Sequence, residues 1–531
     1  MTKNYQKLSI VLGLGLFFVG MFILALVNSY SYSDNDLGWH LRIGNDIAVS
    51  GVAPTINYYN YTLAGDKWVD HEWLLNLAMF KVFEFGGFSG LHIIFALLVL
   101  LIVYLAWQRT REFNGKSIAG SVISLALIAL AIWASRPHLG IRVQEFALLL
   151  ILLLLYAIDL FPLKTRLFCF LPLVFIFWAN IHGSFILGLG ILFAYSVYLW
   201  AQPLLRRIAF LHNLLHSKYS KQDKIISSVV LSLSLLGTLI NPYGVKLYAF
   251  LGGYTNTFYM KHISEWQGQS SIPLYYPQLV YLAIFVSFVG IFLYINRGNK
   301  NNQSLWDWGV SLLFFVLALR SRRHFPIFAF ASLPLLVLAV KQMIAGAQLK
   351  LSNRLKKIIT VLMIAAVLLA FISLAIRLPV KQGSINDGCE TKYPCAAVSF
   401  LKQQTEMQDL RLLNEFNWGG YLLYAYPERQ IFIDGRMPQA SYKEHTILEE
   451  YSQFKVADTD FRALLTEHDI GLVLLYSSDR QVKISKFEQL FLHIEPEEVI
   501  VDSYLRDYLS YSPAWEEIYR DNLSIVFKRK K

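Results

Sequence analysis

Apolar stretches alternate with short polar segments along the first 377 residues of this 531-residue chain. An apolar run of about 20 residues is long enough to cross a bilayer as a helix. We predict spans at about 8–29, 89–107, 117–134, 143–160, 167–181, 184–202, 225–241, 276–295, 305–319, 325–341 and 357–377. The pattern therefore predicts a polytopic α-helical membrane protein with about 11 transmembrane helices.

The pattern changes after about residue 378, where short apolar strands alternate with amphipathic stretches. The segments 411–416, 430–434, 471–476 and 523–528 are predicted as strands, and 443–468 and 483–493 as helices. Alternating strands and helices are typical of a small α/β domain. We therefore predict two domains, a transmembrane domain over 1–377 and a soluble α/β domain over 378–531.

Lysine and arginine cluster before the first predicted span, before the last, and after the second, fourth, sixth and eighth. Short loops rich in these residues stay in the cytoplasm. With eleven spans, this rule predicts a multi-pass plasma-membrane protein whose N-terminus is cytoplasmic. The long first loop, 30–88, and the C-terminal domain are then extracytoplasmic.

The composition supports a membrane protein, with 55% hydrophobic residues, 16% charged residues and a mean hydropathy of +0.43. The net charge of +11 lies in short loops between apolar runs, which argues against nucleic acid as a partner. The sequence contains neither a Walker loop nor the cysteine and histidine spacing of a zinc site. Cys389 and Cys395 follow the last span and are either disulfide-bonded or free thiols.

Two acidic clusters lie near the ends of the first outward loop. They contain Asp34, Asp36, Trp39, His40 and Arg42 at its start, and Asp70, His71 and Glu72 at its end. Carboxylates at a membrane face serve as general bases or as ligands of a hard divalent cation. Asp34 and Asp36 are candidate ligands for Mg or Mn, although all these groups could instead be solvated or cap short helices.

Several cations fall on the outer side, against the orientation pattern. They are Arg136, His138, Arg320, Arg322, Arg323 and His324. Arginine forms bidentate pairs with phosphate, so a lipid-linked phosphate is a natural partner at this depth. Interfacial snorkelling, or ion pairing with the acidic loop, is the alternative explanation.

Polar residues at two further turns are weaker candidates for a binding site. Asn180 and His182 interrupt two apolar runs, either to contact a substrate or to make a turn at Gly183. Glu265 precedes Trp266 in the loop 242–275 and could line the same site.

In the C-terminal domain, Asn417-Trp-Gly-Gly-Tyr and Ile433-Asp-Gly-Arg each follow a predicted strand. Loops that follow strands often carry ligand contacts in α/β domains. Asp434 and Arg436 are therefore expected either to meet a substrate or to pair with each other at a turn.

The chain resembles the GT-C superfamily of membrane glycosyltransferases, and a bacterial group of such proteins, over most of its length. The resemblance rests on Asp36-Leu-Gly-Trp-His-Leu-Arg-Ile-Gly, Trp68-Val-Asp-His-Glu-Trp-Leu, Ser135-Arg-Pro-His, Asn180-Ile-His-Gly and Asn417-Trp-Gly-Gly-Tyr-Leu. It implies that Asp34 or Asp36 acts as base or metal ligand, with Asp70 and Glu72 as a second acidic element. Trp418-Gly-Gly-Tyr differs from the Trp-Trp-Asp-Tyr-Gly motif of oligosaccharyltransferases, so the resemblance does not imply recognition of an acceptor peptide.

The resemblance implies an enzyme that moves a sugar from a donor carried on polyprenyl phosphate or diphosphate to an extracytoplasmic glycan, lipid or protein acceptor. Glycosyl transfer needs a carboxylate that takes the acceptor proton and cations that stabilise the leaving phosphate, and the loop carboxylates and outer arginines match both needs. The alternatives are a transporter or lipid flippase for envelope precursors, and a non-catalytic scaffold. A single cavity that joins the first loop to the arginine turn would argue against the scaffold.

Overall fold

A computed structural model describes residues 2–31, 34–114, 118–208, 215, 219–255, 257–295, 305–346, 389, 391–481, 484–492, 500–501 and 503–530. Up to residue 346 these form helices joined by short loops. The helices are Thr2–Ser31, Leu37–Ser50, Trp73–Asn114, Ile118–Ser135, Gln144–Asp159, Thr165–Cys169, Leu171–Ile181, Phe185–Leu205, Lys221–Gly237, Lys246–Gly252, Thr257–His262, Tyr276–Ile295, Leu305–Arg320, Phe325–Ala331 and Leu333–Gly346.

Ten of the predicted spans coincide with helices, and the eleventh, 357–377, lies outside the described residues. Among the described residues, five helices are long and apolar enough to cross a membrane. A pair bent by 52°, Arg322–Ala331 and Leu333–Ile344, makes a sixth if it is one broken span. The chain is thus a multi-pass helical membrane protein, and the count of eleven stays a prediction.

The helix Trp73–Asn114 is interrupted at Gly87, where the backbone adopts φ 59° and ψ −156°. A side chain rarely tolerates this conformation, whereas glycine does. The break separates the segment 73–86 from the apolar run 89–107 that hydropathy predicts as a span. The end of the predicted first loop, residues 73–86, is therefore already helical before the predicted span begins at residue 89.

The C-terminal region contains a four-stranded sheet in the order Arg411–Asn414, Ile470–Tyr476, Ser524–Arg529, Trp515–Arg520. The first pair is parallel and the others are antiparallel. Two-stranded ladders join Ser441–Tyr442 to His445–Thr446 and Arg480–Gln481 to Ile500–Val501. The helices are Cys395–Gln403, Gly419–Ala425, Ile447–Gln453, Phe461–Glu467, Lys486–Leu492 and Tyr504–Tyr511.

Two predictions for this region need correction. The segment 430–434 is not a strand, because Ile431 makes only isolated bridges, to Asn60 on one side and to Leu412 on the other. The helical stretch 443–468 is divided between Ile447–Gln453 and Phe461–Glu467. The structure also pairs Cys389 with Cys395 in a disulfide, which decides between the two alternatives.

The C-terminal region packs directly onto the first loop. Gly38, in the helix Leu37–Ser50, lies so close to Gly420 that a Cβ at either position would clash with main-chain atoms across the contact. The side chain of Asn60 donates to Asp434 Oδ2 at 2.9 Å, and Thr62 donates to the carbonyl of Phe432 at 2.6 Å. The Trp-Gly-Gly motif therefore serves close packing in this structure.

We expect Gly420→Ala to destabilise the folded protein by about 1–3 kcal/mol, the usual cost of overpacking. The added Cβ would collide with the carbonyl oxygen of Asn35. Thermal unfolding of detergent-solubilised protein measures the effect. Gly290→Ala is the control, because a Cβ there meets no described atom within 4 Å. Equal unfolding midpoints for the two variants would contradict the prediction.

Candidate active site

A cavity of about 340 Å³ lies where the first loop, several helix ends and the segment 435–436 meet. Its polar lining includes Asp36, Asp70, Glu72, Glu145, Glu265, His40, His71, His138, His182, His324, Arg142, Arg323 and Arg436. Leu148, Leu187, Leu251 and Ile327 provide apolar lining. Most of these side chains are buried or half-buried, so their charges act in an environment of low polarity.

Asp34 and Asp36 have different environments. Asp36 precedes the helix Leu37–Ser50 but makes no capping hydrogen bond among the described residues, and its carboxylate lines the cavity. Both oxygens of Asp34 are engaged: Oδ2 accepts from Arg142 Nε at 3.2 Å, and Oδ1 accepts from the N–H of Asp36 at 3.2 Å. Burial, reinforced by the charge of Asp34, raises the pKa of Asp36 to about 7. Asp36 is therefore poised to exchange a proton near neutral pH.

Arg142 connects Asp34 to Glu265. Its Nη2 donates to Glu265 Oε1, and its Nη1 donates to the carbonyl of Pro137 at 3.0 Å. Arg323 approaches the other oxygen of Glu265 at 3.6 Å. Burial alone would raise the pKa of Glu265, but the two arginines lower it to about 2. Glu265 is therefore ionised and holds two guanidinium groups at the cavity wall.

Arg323 is further placed by contacts from the loop before it. Its N–H donates to the carbonyl of Glu265 at 2.9 Å, and its guanidinium lies 5.2 Å from the ring centre of Trp266. The ring of Trp266 also contacts that of His324, with centroids 5.8 Å apart. Arg323 is thus a fixed cation in the same cavity as Asp36.

The second acidic cluster is linked to the first through hydrogen bonds. Asn76 Nδ2 donates to Asp70 Oδ2 at 2.8 Å, so its Oδ1 is left to accept from His40 Nδ1 at 2.6 Å. The N–H of Glu72 donates to Asp70 Oδ1 at 3.1 Å. Burial raises the pKa of Asp70 to about 6 and lowers that of His40 to about 4. His40 is therefore a neutral side chain with its Nε2 available as an acceptor.

His71, Glu72 and His182 form one wall of the cavity. The Nε2 atoms of both histidines lie 3.5 Å from Glu72 Oε1, and the two rings are 6.4 Å apart. Burial lowers the pKa of His71 to about 3 and that of His182 well below its usual range. Burial, with the charge of Asp70, raises the pKa of Glu72 well above its usual range. Burial therefore disfavours the charged form of all three side chains, and the two histidines are neutral at neutral pH.

The structure brings ten of the predicted site residues into the lining of the cavity. They are Asp36, Trp39, His40, Asp70, His71, Glu72, His138, His182, Arg323 and His324. Asp34 is paired with Arg142, which lines the same cavity. Whether these residues act on a substrate stays a proposal.

Other predicted site residues lie outside the cavity lining. Arg42 pairs with Asp46 at 2.9 Å, and Arg136 Nε donates to Asn28 Oδ1 at 3.1 Å. Asn180 accepts from Trp73 Nε1 at 2.8 Å and stabilises the turn. Arg322 donates to the carbonyls of Ser271 and Pro273, and Arg320 ends its helix with an exposed side chain.

Sequence reasoning missed Arg142, although it is also a cation in an outward loop and the reasoning applied to Arg136 applies to it. It missed Glu145 too, because only the fold shows that this carboxylate is buried. Arg436 pairs with Asp434 at 2.7 Å, as one alternative proposed. It also stacks on Tyr59 and Trp68, with its guanidinium 4.4 and 4.7 Å from their ring centres. Arg436 therefore fixes the first loop and lines the cavity.

The donors do not fit a divalent metal ion. Within the described part of the chain, no three His, Cys, Asp or Glu side chains form a metal-binding group. Asp34, the first candidate ligand, uses both oxygens on Arg142 and on a backbone N–H. The guanidinium of Arg142 already bridges Asp34 and Glu265, so it supplies a positive charge beside the candidate ligand Asp34, and we derive no step through a metal.

No protein-family model and no curated protein matches the sequence. Several solved structures do resemble this chain in fold. The Archaeoglobus fulgidus oligosaccharyltransferase, tethered to an acceptor peptide, superposes with a TM-score of 0.55 at 13% identity, covering 98% of this chain and 74% of that one. The same organism's AglB, in complex with an inhibitory peptide and a dolichol-phosphate, gives 0.53 at 12% identity, covering 98% and 74%. The mycobacterial arabinofuranosyltransferase AftD gives 0.55 at 11% identity, covering 97% of this chain and 40% of that one.

These neighbours are membrane glycosyltransferases of the GT-C superfamily, so the resemblance that the sequence motifs indicated is confirmed for the fold. At 11–13% identity the likeness shows the fold alone. Any activity must therefore be argued from the cavity itself.

Proposed function

We propose that this protein is a GT-C-type glycosyltransferase that moves a sugar from a polyprenyl-phosphate-linked donor to an extracytoplasmic acceptor. The observation that carries the proposal is one cavity holding Asp36, whose pKa is raised to about 7, together with the fixed cation Arg323. The fold supports it, since a neighbour of the same fold is an oligosaccharyltransferase in complex with a dolichol-phosphate.

In the proposed reaction, the acceptor hydroxyl oxygen attacks C1 of the donor sugar. The bond between C1 and the phosphate oxygen breaks, and its electron pair leaves with the polyprenyl phosphate. The Asp36 carboxylate takes the proton of the acceptor hydroxyl. Arg323 stabilises the charge that develops on the leaving phosphate.

The orientation of the chain is part of the proposal. A cytoplasmic N-terminus, with residues 1–377 as the membrane domain and 378–531 outside, places the cavity on the extracytoplasmic face. The disulfide between Cys389 and Cys395 supports this, because disulfides persist in oxidising compartments. For a bacterial protein this corresponds to the plasma membrane and the cell envelope.

The cavity also bears on the rival functions. It joins Asp36 and Asp70 of the first loop to Arg323 of the arginine turn, which favours an enzyme over a scaffold. A transporter or flippase would instead move the donor lipid without breaking its sugar–phosphate bond. Release of polyprenyl phosphate from the donor therefore separates the two functions.

The test is consumption of radiolabelled polyprenyl-phosphate sugars by membranes that contain the protein. We expect release of polyprenyl phosphate, and we expect Arg323→Gln to reduce the rate by about 10²- to 10³-fold, as for loss of a transition-state donor. Arg520→Gln is the control, since Arg520 is exposed and pairs only with nearby Glu517 among the described acidic groups. Unaltered donor lipid, or an unchanged rate in Arg323→Gln, would contradict the proposal.

The rate of transfer should rise with pH through an apparent pKa near 7. A general base acts in its deprotonated form, and the pKa of Asp36 is raised to about 7 by burial and by Asp34. Because the two carboxylates interact, the apparent value belongs to the pair. The initial rate between pH 5 and pH 9 measures it. A rate that is flat across pH 6–8 would argue against Asp36 as the base.

A further inference from the structure

We propose that the wall formed by His71, Glu72 and His182 is a subsite for the hydroxyl groups of an uncharged sugar. The inference rests on the proposed function and names the class of sugar that the donor carries. It predicts preference for a neutral hexose over a uronic acid or an aminosugar.

The first observation is an unused hydrogen-bond donor on His182. Its Nδ1 accepts from the N–H of Ser184 at 3.0 Å, so the proton of the neutral ring lies on Nε2. Nε2 has no hydrogen-bond partner among the described residues, although the side chain is only 9% exposed and lines the cavity. A buried donor without a partner costs free energy that a ligand oxygen recovers.

The second observation is that the charged groups around this wall are engaged elsewhere, among the groups that the structure describes. Arg323 is paired with Glu265 and stacked on Trp266, and the proposed reaction assigns Arg323 to the leaving phosphate and Asp36 to the acceptor hydroxyl. Asp70 uses its Oδ2 on Asn76 and its Oδ1 on a backbone N–H. A charged substituent placed here would lose water without gaining a counter-ion, whereas a hydroxyl group keeps its hydrogen bonds.

The third observation is an aromatic border beside the polar groups. The rings of Phe250 and Tyr254 lie 5.6 and 5.7 Å from that of His71. Leu251 packs so close to Gly183 that a Cβ on Gly183 would lie 2.6 Å from Leu251 Cδ2, so the turn that follows His182 is tightly packed. Apolar faces beside a few oriented polar groups suit a sugar ring, which has both kinds of surface.

The experiment measures binding rather than turnover, with the full-length protein in lipid nanodiscs. The ligands are polyprenyl phosphate alone and polyprenyl phosphate linked to glucose, galactose, mannose, glucuronic acid or 4-amino-arabinose. We expect at least one neutral hexose to bind about tenfold more tightly than the bare lipid phosphate, the value of one or two hydrogen bonds. The two charged sugars should give no such gain.

Two variants of His182 separate contact with the ligand from a structural role. In His182→Asn, the side-chain oxygen takes the position of Nδ1 and still accepts from the N–H of Ser184, but no donor replaces Nε2. In His182→Gln, the side-chain NH₂ takes the position of Nε2, but no acceptor replaces Nδ1. We therefore expect His182→Asn to lose the hexose gain and His182→Gln to retain most of it, with equal affinity of both for bare polyprenyl phosphate.

Each outcome has a distinct meaning. The subsite is refuted, and the proposed function is not, if lipid phosphates bind but neutral hexoses give no gain, or if glucuronic acid or 4-amino-arabinose gives an equal one. If His182→Asn retains the hexose gain and His182→Gln loses it, His182 acts only by stabilising the turn. If no polyprenyl phosphate binds at all, the proposed function fails and the subsite fails with it.

Discussion

Asp36→Asn should lower the rate of sugar transfer by about 10²- to 10⁴-fold, the contribution of a positioned general base. Asparagine keeps the size of the side chain but cannot take the acceptor proton. The variant should still fold, because the Asp36 side chain makes no capping bond among the described residues and its burial disfavours the charge that the change removes. The residual rate of the variant should no longer rise with pH near pH 7.

Asp66→Asn is the matched control for this experiment. Asp66 lies on the same loop, but its side chain is exposed and outside the cavity lining. Its rate should equal that of the unmodified protein. Full activity in Asp36→Asn would remove Asp36 from the mechanism and leave Asp70 or Glu72 as the next carboxylate to test.

Arg142→Ala should both destabilise the protein and abolish transfer. The change leaves Asp34 and Glu265 largely buried without their shared cation, and breaking a buried pair from one side costs about 3–5 kcal/mol. Arg142→Lys should restore little, because an ammonium group lacks the planar fork that reaches both carboxylates. Chemical unfolding in detergent and the donor-consumption assay measure the two effects.

Arg520→Ala provides the comparison, since exposed ion pairs contribute only about 0–1 kcal/mol. We also expect chelation of divalent cations to leave transfer by the unmodified protein unchanged, because Arg142 already supplies the positive charge between the two carboxylates. Inactivation by a chelator, reversed by Mg or Mn, would show that the cluster rearranges to admit a metal.

The helical membrane domain could be predicted because its signal is local. An apolar run of about 20 residues specifies a membrane-spanning helix whatever the rest of the chain does. The docking of the C-terminal region could not be predicted in this way, since it depends on Gly38 meeting Gly420 and on Asn60 meeting Asp434, hundreds of residues apart. Local patterns do not report contacts between such distant segments.

The candidate site, too, could be predicted only in part. The acidic loop and the arginine turn were identified from their residue types, and Asp36, Asp70 and Arg323 do line one cavity. The sequence could not select Arg323 over Arg322. The two residues lie in a 3₁₀ turn, Arg322–His324, where successive side chains point in directions about 120° apart. Geometry rather than composition decides which guanidinium meets the cavity.

The wall formed by Gly435 and Arg436 has a consequence for how the protein is made. This wall lies about 400 residues after Asp36, so a ribosome adding about 5–20 residues per second completes it roughly 20–80 s later. During that interval the nascent chain has its membrane helices and its acidic loop, but its cavity lacks one side. Synthesis of the C-terminal region thus sets the moment at which a newly made molecule can first enclose a ligand.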